Sequence, residues 1–388
     1  MSEMQEPTTR PVAANPLRIL NGAGQSPWYD NVARRLFTSG EFARLINDYG
    51  IVGVTSNPTI FDKAISGSDD YDEQMRGLLK SRLDARAVYD ELAVADIGTA
   101  ADALLDVYTR TDGLDGYVSI EVLPQYAYDS RRTVEYARKI YQRLNRKNIL
   151  IKVPGTREGL PAITALIAEG ISVNVTLLFS VAQYEACARA YIEGLKVRSR
   201  AGGDLRQVTS VASVFVSRID TAVDKTLDSL ASGEDNKLGR WNILSFKNKA
   251  AVANSKIVYQ RFKELFGAAD VAELMKKGAR VQRVLWASTS MKDPGLRDVK
   301  YVEELIGPDT INTMPHQTLM AFYDHGIVKT TLDSGIEGAR KVFKELDMFG
   351  ISVDRVCVDL QKDGVKAFVE SFNSLIHSIE KKMKVLQK

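Results

Sequence analysis

One lysine, two carboxylates and a set of amides and hydroxyls stand at matching places along this chain. Lys152 closes the aliphatic run "NILIKVPG" (148–155), just ahead of the breaking pair Pro154-Gly155. Lysine is among the residues least often fully buried, so an amine at the end of a core-like strand asks for a reason. Glu121 lies near the end of "GYVSIEVLP" (116–124), and Asp30 lies in the poorer run "GQSPWYDN" (24–31). Thr55 and Asn57 belong to "IVGVTSNP" (51–58), and Asn174 and Thr176 to "GISVNVTLLFS" (170–180). "VTSVASVFVSR" (208–218) carries Ser213, Phe215 and Arg218, and "VQRVLWASTS" (281–290) carries Trp286 and Ser288. Side chains two apart in a strand point the same way. The pairs Thr55/Asn57, Ser119/Glu121, Leu150/Lys152, Asn174/Thr176, Ser213/Phe215 and Trp286/Ser288 are therefore each expected to face one side at a strand's C-terminal end.

These residue types suit Schiff-base chemistry. An unprotonated lysine amine attacks a ketone, and the resulting iminium is an electron sink that permits cleavage of a C–C bond beside it. A free lysine titrates near about 10.4, so burial must make the neutral amine accessible. Ile149, Leu150, Ile151 and Val153 are expected to provide a poorly solvating surround. Cleavage also needs acid/base groups for the hydroxyl proton and for dehydration of the carbinolamine, and Glu121 and Asp30 are the carboxylates on hand. A phosphate on the substrate would call for cations and hydroxyls on late strands, where Arg218, Ser288 and Lys292 are placed. Each residue alone has a plainer reading. A strand Ser or Thr is usually a satisfied filler, Asn57 before Pro58 suits a turn, and Lys152 could hold its charge in solvent with Glu121 as its partner. The recurrence of polar residues at matching strand ends favours a shared site.

The elements that must position these groups follow from periodicity. Adding "DTINTMP" (309–315), the strand-like runs number eight. Amphipathic stretches such as "AITALIAEG" (162–170) and "VAQYEACARAYIEGLK" (181–196) lie between them, with apolar spacing near a helical turn. Alternating strands and helices imply a parallel sheet, and eight strands favour a closed (β/α)8 TIM barrel over an open doubly wound sheet. No G-x-G-x-x-G follows the first run, which argues against a dinucleotide fold. Residues 1–16, polar and holding Pro7, Pro11 and Pro16, are expected to be a disordered tail, and 17–388 one barrel domain. Segments 219–280 and 327–388 exceed a minimal barrel and read as helical additions. The basic end "IEKKMKVLQK" is expected to be a solvated helix face, with cover over the barrel mouth as the other reading.

The 388 residues carry a net charge of only +3, so charge gives no reason to expect a nucleic-acid or membrane partner. No apolar run approaches a bilayer span, and the N-terminus lacks the apolar core of a secretory signal, so a cytoplasmic location is expected. The two cysteines, Cys187 and Cys357, are far apart and form no motif, and the three histidines show no metal-ligand spacing.

"GVTSNPTIF" (53–61) and "ILIKVPGTREGLPAITALIAEG" (149–170) resemble the two signatures of the transaldolases, the second surrounding their Schiff-base lysine. "ISVNVTLLFS", "SVFVSRID" and "LWASTSMKDP" resemble further blocks in the same order, and "GQSPWYDN" and "GPDTINTMPHQTLMAFYDHG" (307–326) resemble blocks of the longer bacterial type. The likeness runs from about residue 17 to the C-terminus. It implies a class I aldolase barrel that moves a dihydroxyacetone unit between sugar phosphates, without cofactor or metal. By motif, Lys152 resembles the Schiff-base nucleophile, Glu121 the carboxylate working with a catalytic water, and Thr176 the residue orienting that water. Asp30 resembles the acid/base for the C4 hydroxyl, Asn57 and Asn174 the holders of the dihydroxyacetone hydroxyls, and Arg218 the phosphate-binding arginine. Thr55, Ser213, Phe215 and Ser288 match neighbouring positions. Val214 and Ser217 replace a usual Pro and Gly, and "ASTSMKDP" lacks the arginine of the shorter enzymes. Ser290 takes its nominal place, and Lys292 is the substitute cation. Monomer and homodimer both stay open, as do a fructose 6-phosphate aldolase releasing dihydroxyacetone and a non-catalytic sugar-phosphate-binding barrel.

Overall fold

A computed structural model describes residues 15–387. The eight expected runs become β1 (Gln25–Tyr29), β2 (Gly53–Thr55), β3 (Tyr117–Glu121), β4 (Ile149–Pro154), β5 (Val173–Leu178), β6 (Ser210–Phe215), β7 (Arg283–Ala287) and β8 (Thr310–Met314). They form one closed parallel barrel in sequential order, with β8 pairing back to β1. Every residue of these strands is buried. Helices cover the outer face and side chains fill the interior, which is why runs such as Ile149–Val153 are nearly continuous in aliphatic residues rather than alternating.

The connecting helices begin where the chain supplies caps. Asn57 accepts from the Ile60 N–H, and Pro58 opens the helix Pro58–Ser66 at the position where its missing N–H costs nothing. Ser180 and Gln183 form a reciprocal capping box that starts Val181–Arg200. The region 219–280 holds the end of Ser217–Ser232, then Lys237–Leu244, Ala250–Phe266 and Ala269–Lys276. Ala250–Phe266 packs against both Val181–Arg200 and Ile336–Met348, so this insertion thickens the outer layer.

Two expectations change. Residues 1–14 of the expected tail lie outside the described residues, but Asn15 and Pro16 do not behave as tail. Asn15 caps the helix Pro16–Gly22 through the Leu17 N–H at 2.9 Å, and its amide donates to the carbonyls of Asp48 and Tyr49. The C-terminal helix runs Val353–Leu386, and it does not stand free. It packs on β5, on Ser217–Ser232 and on Pro58–Ser66, so it crosses the C-terminal mouth of the barrel from β5 to β2. Its basic end is not merely a solvated face. Lys382 reaches the carbonyls of Ile65 and Ser68 and forms an ion pair with Asp72 at 2.8 Å. A charge-rich segment reads as solvated when its partners lie some 310 residues away in sequence.

Candidate active site

The C-terminal ends of the strands open on a cavity of about 600 Å³. Lys152 reaches it from β4, Asp30 from just after β1, and Thr55 and Asn57 from β2 and the turn beyond. Thr176, Ser213 and Phe215 face it from β5 and β6. Arg218, Ser288 and Lys292 form part of the wall contributed by β6 and β7 and their following loops. The strand-end pattern thus gathers ten of the twelve expected residues around the wall of one cavity.

The other two lie behind that wall. Glu121 stands beside Lys152 in register on the neighbouring strand, with its Oε1 2.6 Å from the Lys152 Nζ and both side chains more than nine-tenths buried. The pair is close but poorly aligned for a hydrogen bond, and the ammonium donates instead to the Ser56 carbonyl at 3.0 Å. Asn174 is fully buried below the cavity. Its Nδ2 donates to Ser119 Oγ at 3.0 Å and its Oδ1 accepts from Ser213 Oγ at 2.7 Å, so it ties β3, β5 and β6 together.

The environment of Lys152 differs from the expected apolar surround. Ile151 and Val153 flank it in sequence, but side chains one apart in a strand face opposite sides. Leu150, two residues back, shares its side, and the polar partners of the amine are the Glu121 carboxylate and the Ser56 carbonyl. Burial pushes the Glu121 carboxyl above its ordinary range, with the Lys152 charge and contact opposing that rise. Asp30 is likewise raised by burial, while Lys152 and the Thr55 hydroxyl pull it back. Thr55 Oγ1 donates to Asp30 Oδ1 at 2.6 Å and lies 2.7 Å from Thr313 Oγ1, so a short hydroxyl chain fixes this carboxylate.

A small void of about 10 Å³ lies between Glu121, Thr176 and the C-terminal helix residues Val365 and Phe368, room for about one water. Thr176 Oγ1 is buried and has no protein partner among the described residues. Asn57 spends its Oδ1 on the helix cap at 3.0 Å, which leaves its NH2 as the part available to a ligand. On the opposite wall, Arg218 stacks over the Phe215 ring at 5.1 Å and has no carboxylate partner among the described residues; burial lowers its guanidinium from the ordinary value. Ser288 has a left-handed backbone (φ +57°) and lies 2.9 Å from Ser217 Oγ at the start of Ser217–Ser232. That turn breaks the alternation, so Ala287 and Ser288 both face the cavity while Trp286 is buried away from it.

Thr313, His316, Lys63 and Phe368 also line the cavity and were not singled out from sequence. Thr313 could have been, since it stands at the end of β8 as Thr55 does on β2. His316 opens the helix after β8 and lies 3.2 Å from the Tyr29 hydroxyl. Phe368 comes from a helix that no local pattern ties to the mouth.

A closed parallel barrel with a buried amine at the end of β4, carboxylates at hand and cations across the mouth has the build of the lysine-dependent aldolase class. Residues 27–379 match the transaldolase/fructose-6-phosphate aldolase family, and the chain belongs to that family. It is 45% identical to transaldolase 2 of a Nostoc species, with 97% of this chain and 99% of that protein covered. It is 43% identical to the transaldolase of Trichodesmium erythraeum over 97% and 99% of the two chains. With the transaldolase of Thermobifida fusca the identity is 44% over 95% and 98%.

Proposed function

We propose that this chain is a transaldolase that carries its donor unit as a Schiff base on Lys152. The Lys152 amine attacks the C2 ketone of sedoheptulose 7-phosphate, and loss of water from the carbinolamine leaves an iminium. Asp30 takes the C4 hydroxyl proton, the C3–C4 bond breaks, and its electron pair moves into the iminium as erythrose 4-phosphate leaves. The dihydroxyacetone carbanion then attacks the aldehyde carbon of glyceraldehyde 3-phosphate, Asp30 returns its proton to the oxygen that becomes the new C4 hydroxyl, and hydrolysis of the new iminium frees fructose 6-phosphate and the amine. This is a step of the non-oxidative pentose phosphate pathway.

Glu121 and Thr176 serve the dehydration and hydrolysis steps through the water-sized void they share. Arg218, with Ser288 and the exposed Lys292, receives the substrate phosphate; a desolvated guanidinium without a carboxylate partner supports that reading. Asn57 offers its NH2 to the dihydroxyacetone hydroxyls, whereas Asn174 acts from beneath through Ser213. The observation that carries the proposal is the buried Lys152 amine 2.6 Å from Glu121 at the wall that Asp30 also lines.

Borohydride reduction in the presence of fructose 6-phosphate tests it. A mass increase confined to Lys152, and its loss when erythrose 4-phosphate is added as acceptor, is the expected result. An unmodified protein under conditions that trap an authentic Schiff-base aldolase would refute it. Trapping with free dihydroxyacetone as the main product would instead favour simple aldolase action.

A further inference from the structure

The C-terminal helix makes one direct side-chain hydrogen-bonded clip to the strand ends that carry Lys152 and Thr176. Gln361, in the third turn of Val353–Leu386, spends both hydrogens of its side-chain amide on the barrel. Its Nε2 lies 3.0 Å from the Gly155 carbonyl and 3.0 Å from the Leu177 carbonyl. Gly155 directly follows β4, three residues beyond Lys152. Leu177 directly follows Thr176 on β5. The two strand ends are joined there by the Gly155 N–H donating to the Thr176 carbonyl at 2.8 Å.

The backbone at this point is irregular. Pairing between β5 and β6 shifts register between Val175 and Leu178, and Leu177 is left-handed with φ +59°. A bulky residue in that region is strained, and strain of this kind persists only where surrounding structure holds it. Bulges of this sort re-aim a side chain beside active sites. Here the neighbouring side chain is Thr176, whose buried hydroxyl has no protein partner among the described residues and lies at the void shared with Glu121. The helix approaches the bulge as closely as glycine permits: a Cβ on Gly364 would sit 2.9 Å from the Leu177 side chain. Val365, the next residue, and Phe368, one turn further on, complete the void's wall.

We infer that Gln361 is a positioning residue for the proposed transfer reaction. By clipping the Gly155 and Leu177 carbonyls it holds the bulge that aims Thr176, and it seats the helix whose Val365 and Phe368 close the chamber behind Lys152. The inference rests on the Schiff-base reading of Lys152. Gln361 touches no substrate atom, so it acts on the rate of dehydration, hydrolysis and carbanion protection rather than on substrate affinity.

Gln361→Met keeps the side chain's length and removes both donors. For the full-length variant, kcat for transfer from fructose 6-phosphate to glyceraldehyde 3-phosphate should fall about tenfold, consistent with a small misplacement of a reacting group. KM for fructose 6-phosphate should stay within about twofold, because Gln361 itself does not line the cavity and the residues proposed to bind substrate are unchanged. Released dihydroxyacetone per transfer event should rise as the chamber loosens. Gln361→Ala, which removes the same donors without adding bulk, should give the same split and covers the case in which Gln361→Met fails to fold. Unchanged kcat and product ratio per folded molecule in either variant would overturn the inference and leave the contact as packing alone. Equal loss in kcat/KM through a raised KM would overturn it too. Absence of both turnover and borohydride trapping in the unsubstituted protein would instead remove the Lys152 reading, and this inference with it.

Discussion

The Lys152 amine and the Glu121 carboxylate face each other across β3 and β4, 2.6 Å apart, in direct register and away from bulk solvent. Two opposite charges so placed stabilise each other, yet burial still leaves the Glu121 carboxyl raised. Desolvation therefore outweighs the pair's attraction on the carboxyl side. The contact places a carboxyl raised by burial within reach of the amine, the arrangement that the proposed acid/base role of Glu121 requires.

Glu121→Gln keeps the volume and removes the proton exchange. Its kcat should fall by about 10²–10⁴-fold, the usual worth of a positioned acid/base group. The rate of borohydride trapping at Lys152 should fall with it, since dehydration of the carbinolamine precedes reduction. A rapid-quench time course of trapping checks this. Full-rate trapping with low turnover would put Glu121 in a later step.

Asp30 gives a pH prediction whose sign is fixed by its raised carboxyl. A base must be ionised to accept the C4 proton. The acid limb of kcat/KM in the cleavage direction should therefore lie above the ordinary Asp value of about 3.9. Stability runs the other way. A folded-state pKa above the unfolded one contributes stability that is complete below the unfolded pKa and is lost as pH rises through the folded pKa. Asp30→Asn mimics the neutral form. It should melt higher than the parent at pH 8, with the advantage gone near pH 3 to 4, while kcat falls by about 10²–10⁴-fold. Parallel thermal melts across pH and a pH–rate profile measure both.

Arg218 lies half-buried over Phe215 without a carboxylate partner among the described residues. If it receives the substrate phosphate, Arg218→Ala removes charge-assisted hydrogen bonds worth about 1.5–3 kcal/mol, or about 10–150-fold in kcat/KM. Cleavage of unphosphorylated fructose should change far less. Equal losses on both substrates would assign Arg218 to packing against the Phe215 ring.

Phe215 lines the cavity with its ring 5.4 Å from that of Phe179. A ring without a hydroxyl cannot join a water network that would protonate the bound carbanion. Phe215→Tyr adds that hydroxyl and should raise dihydroxyacetone release from fructose 6-phosphate relative to transfer, by a few-fold or more. Product ratios with and without glyceraldehyde 3-phosphate are the measurement, and an unmoved ratio would count against the role given to the ring.

Strands and site were readable to different depths. Most of the eight strands showed as short apolar runs bounded by breakers, because parallel strands buried on both faces have that composition, while β1 showed only as the poorer run "GQSPWYDN". Period-two reasoning then brought Lys152, Thr176 and Ser213 to one mouth, since it needs only local geometry. It failed at Trp286 and Ser288, where a left-handed backbone resets the alternation, a feature that no residue type at that position announces. At Lys152 it put Leu150 on the amine's side but could not bring in the Ser56 carbonyl, which comes from the turn after β2, 96 residues away in sequence. Gln361, Val365 and Phe368 reach the site through tertiary contact nearly 200 residues from Thr176, so no local pattern could reveal them.

The far end of the barrel supplies a contrast that separates stability from catalysis. Arg283 and Asp115 form a buried ion pair at 3.1 Å near the N-terminal ends of the strands. Asp115 also accepts from Ser26 Oγ at 2.7 Å and Trp28 Nε1 at 3.1 Å, and Arg283 donates to the carbonyls of Leu114 and Thr310. β1, β7, β8 and the approach to β3 are thus tied by one carboxylate and one guanidinium. Removing a single partner of such a pair typically costs about 3–5 kcal/mol, because the other charge is left buried and unpaired. Asp115→Ala should lower unfolding free energy by that order in urea titrations while leaving kcat per folded molecule unchanged, since this network lies at the N-terminal face of the barrel and the cavity lies at the other. Replacing both partners with apolar residues, Asp115→Leu with Arg283→Met, relieves the unpaired charge in many proteins. Here it should not restore full stability, because Trp28 Nε1 and Ser26 Oγ would remain buried without their acceptor. Full recovery in the double variant would show that the pair alone, and not its network, holds this end closed.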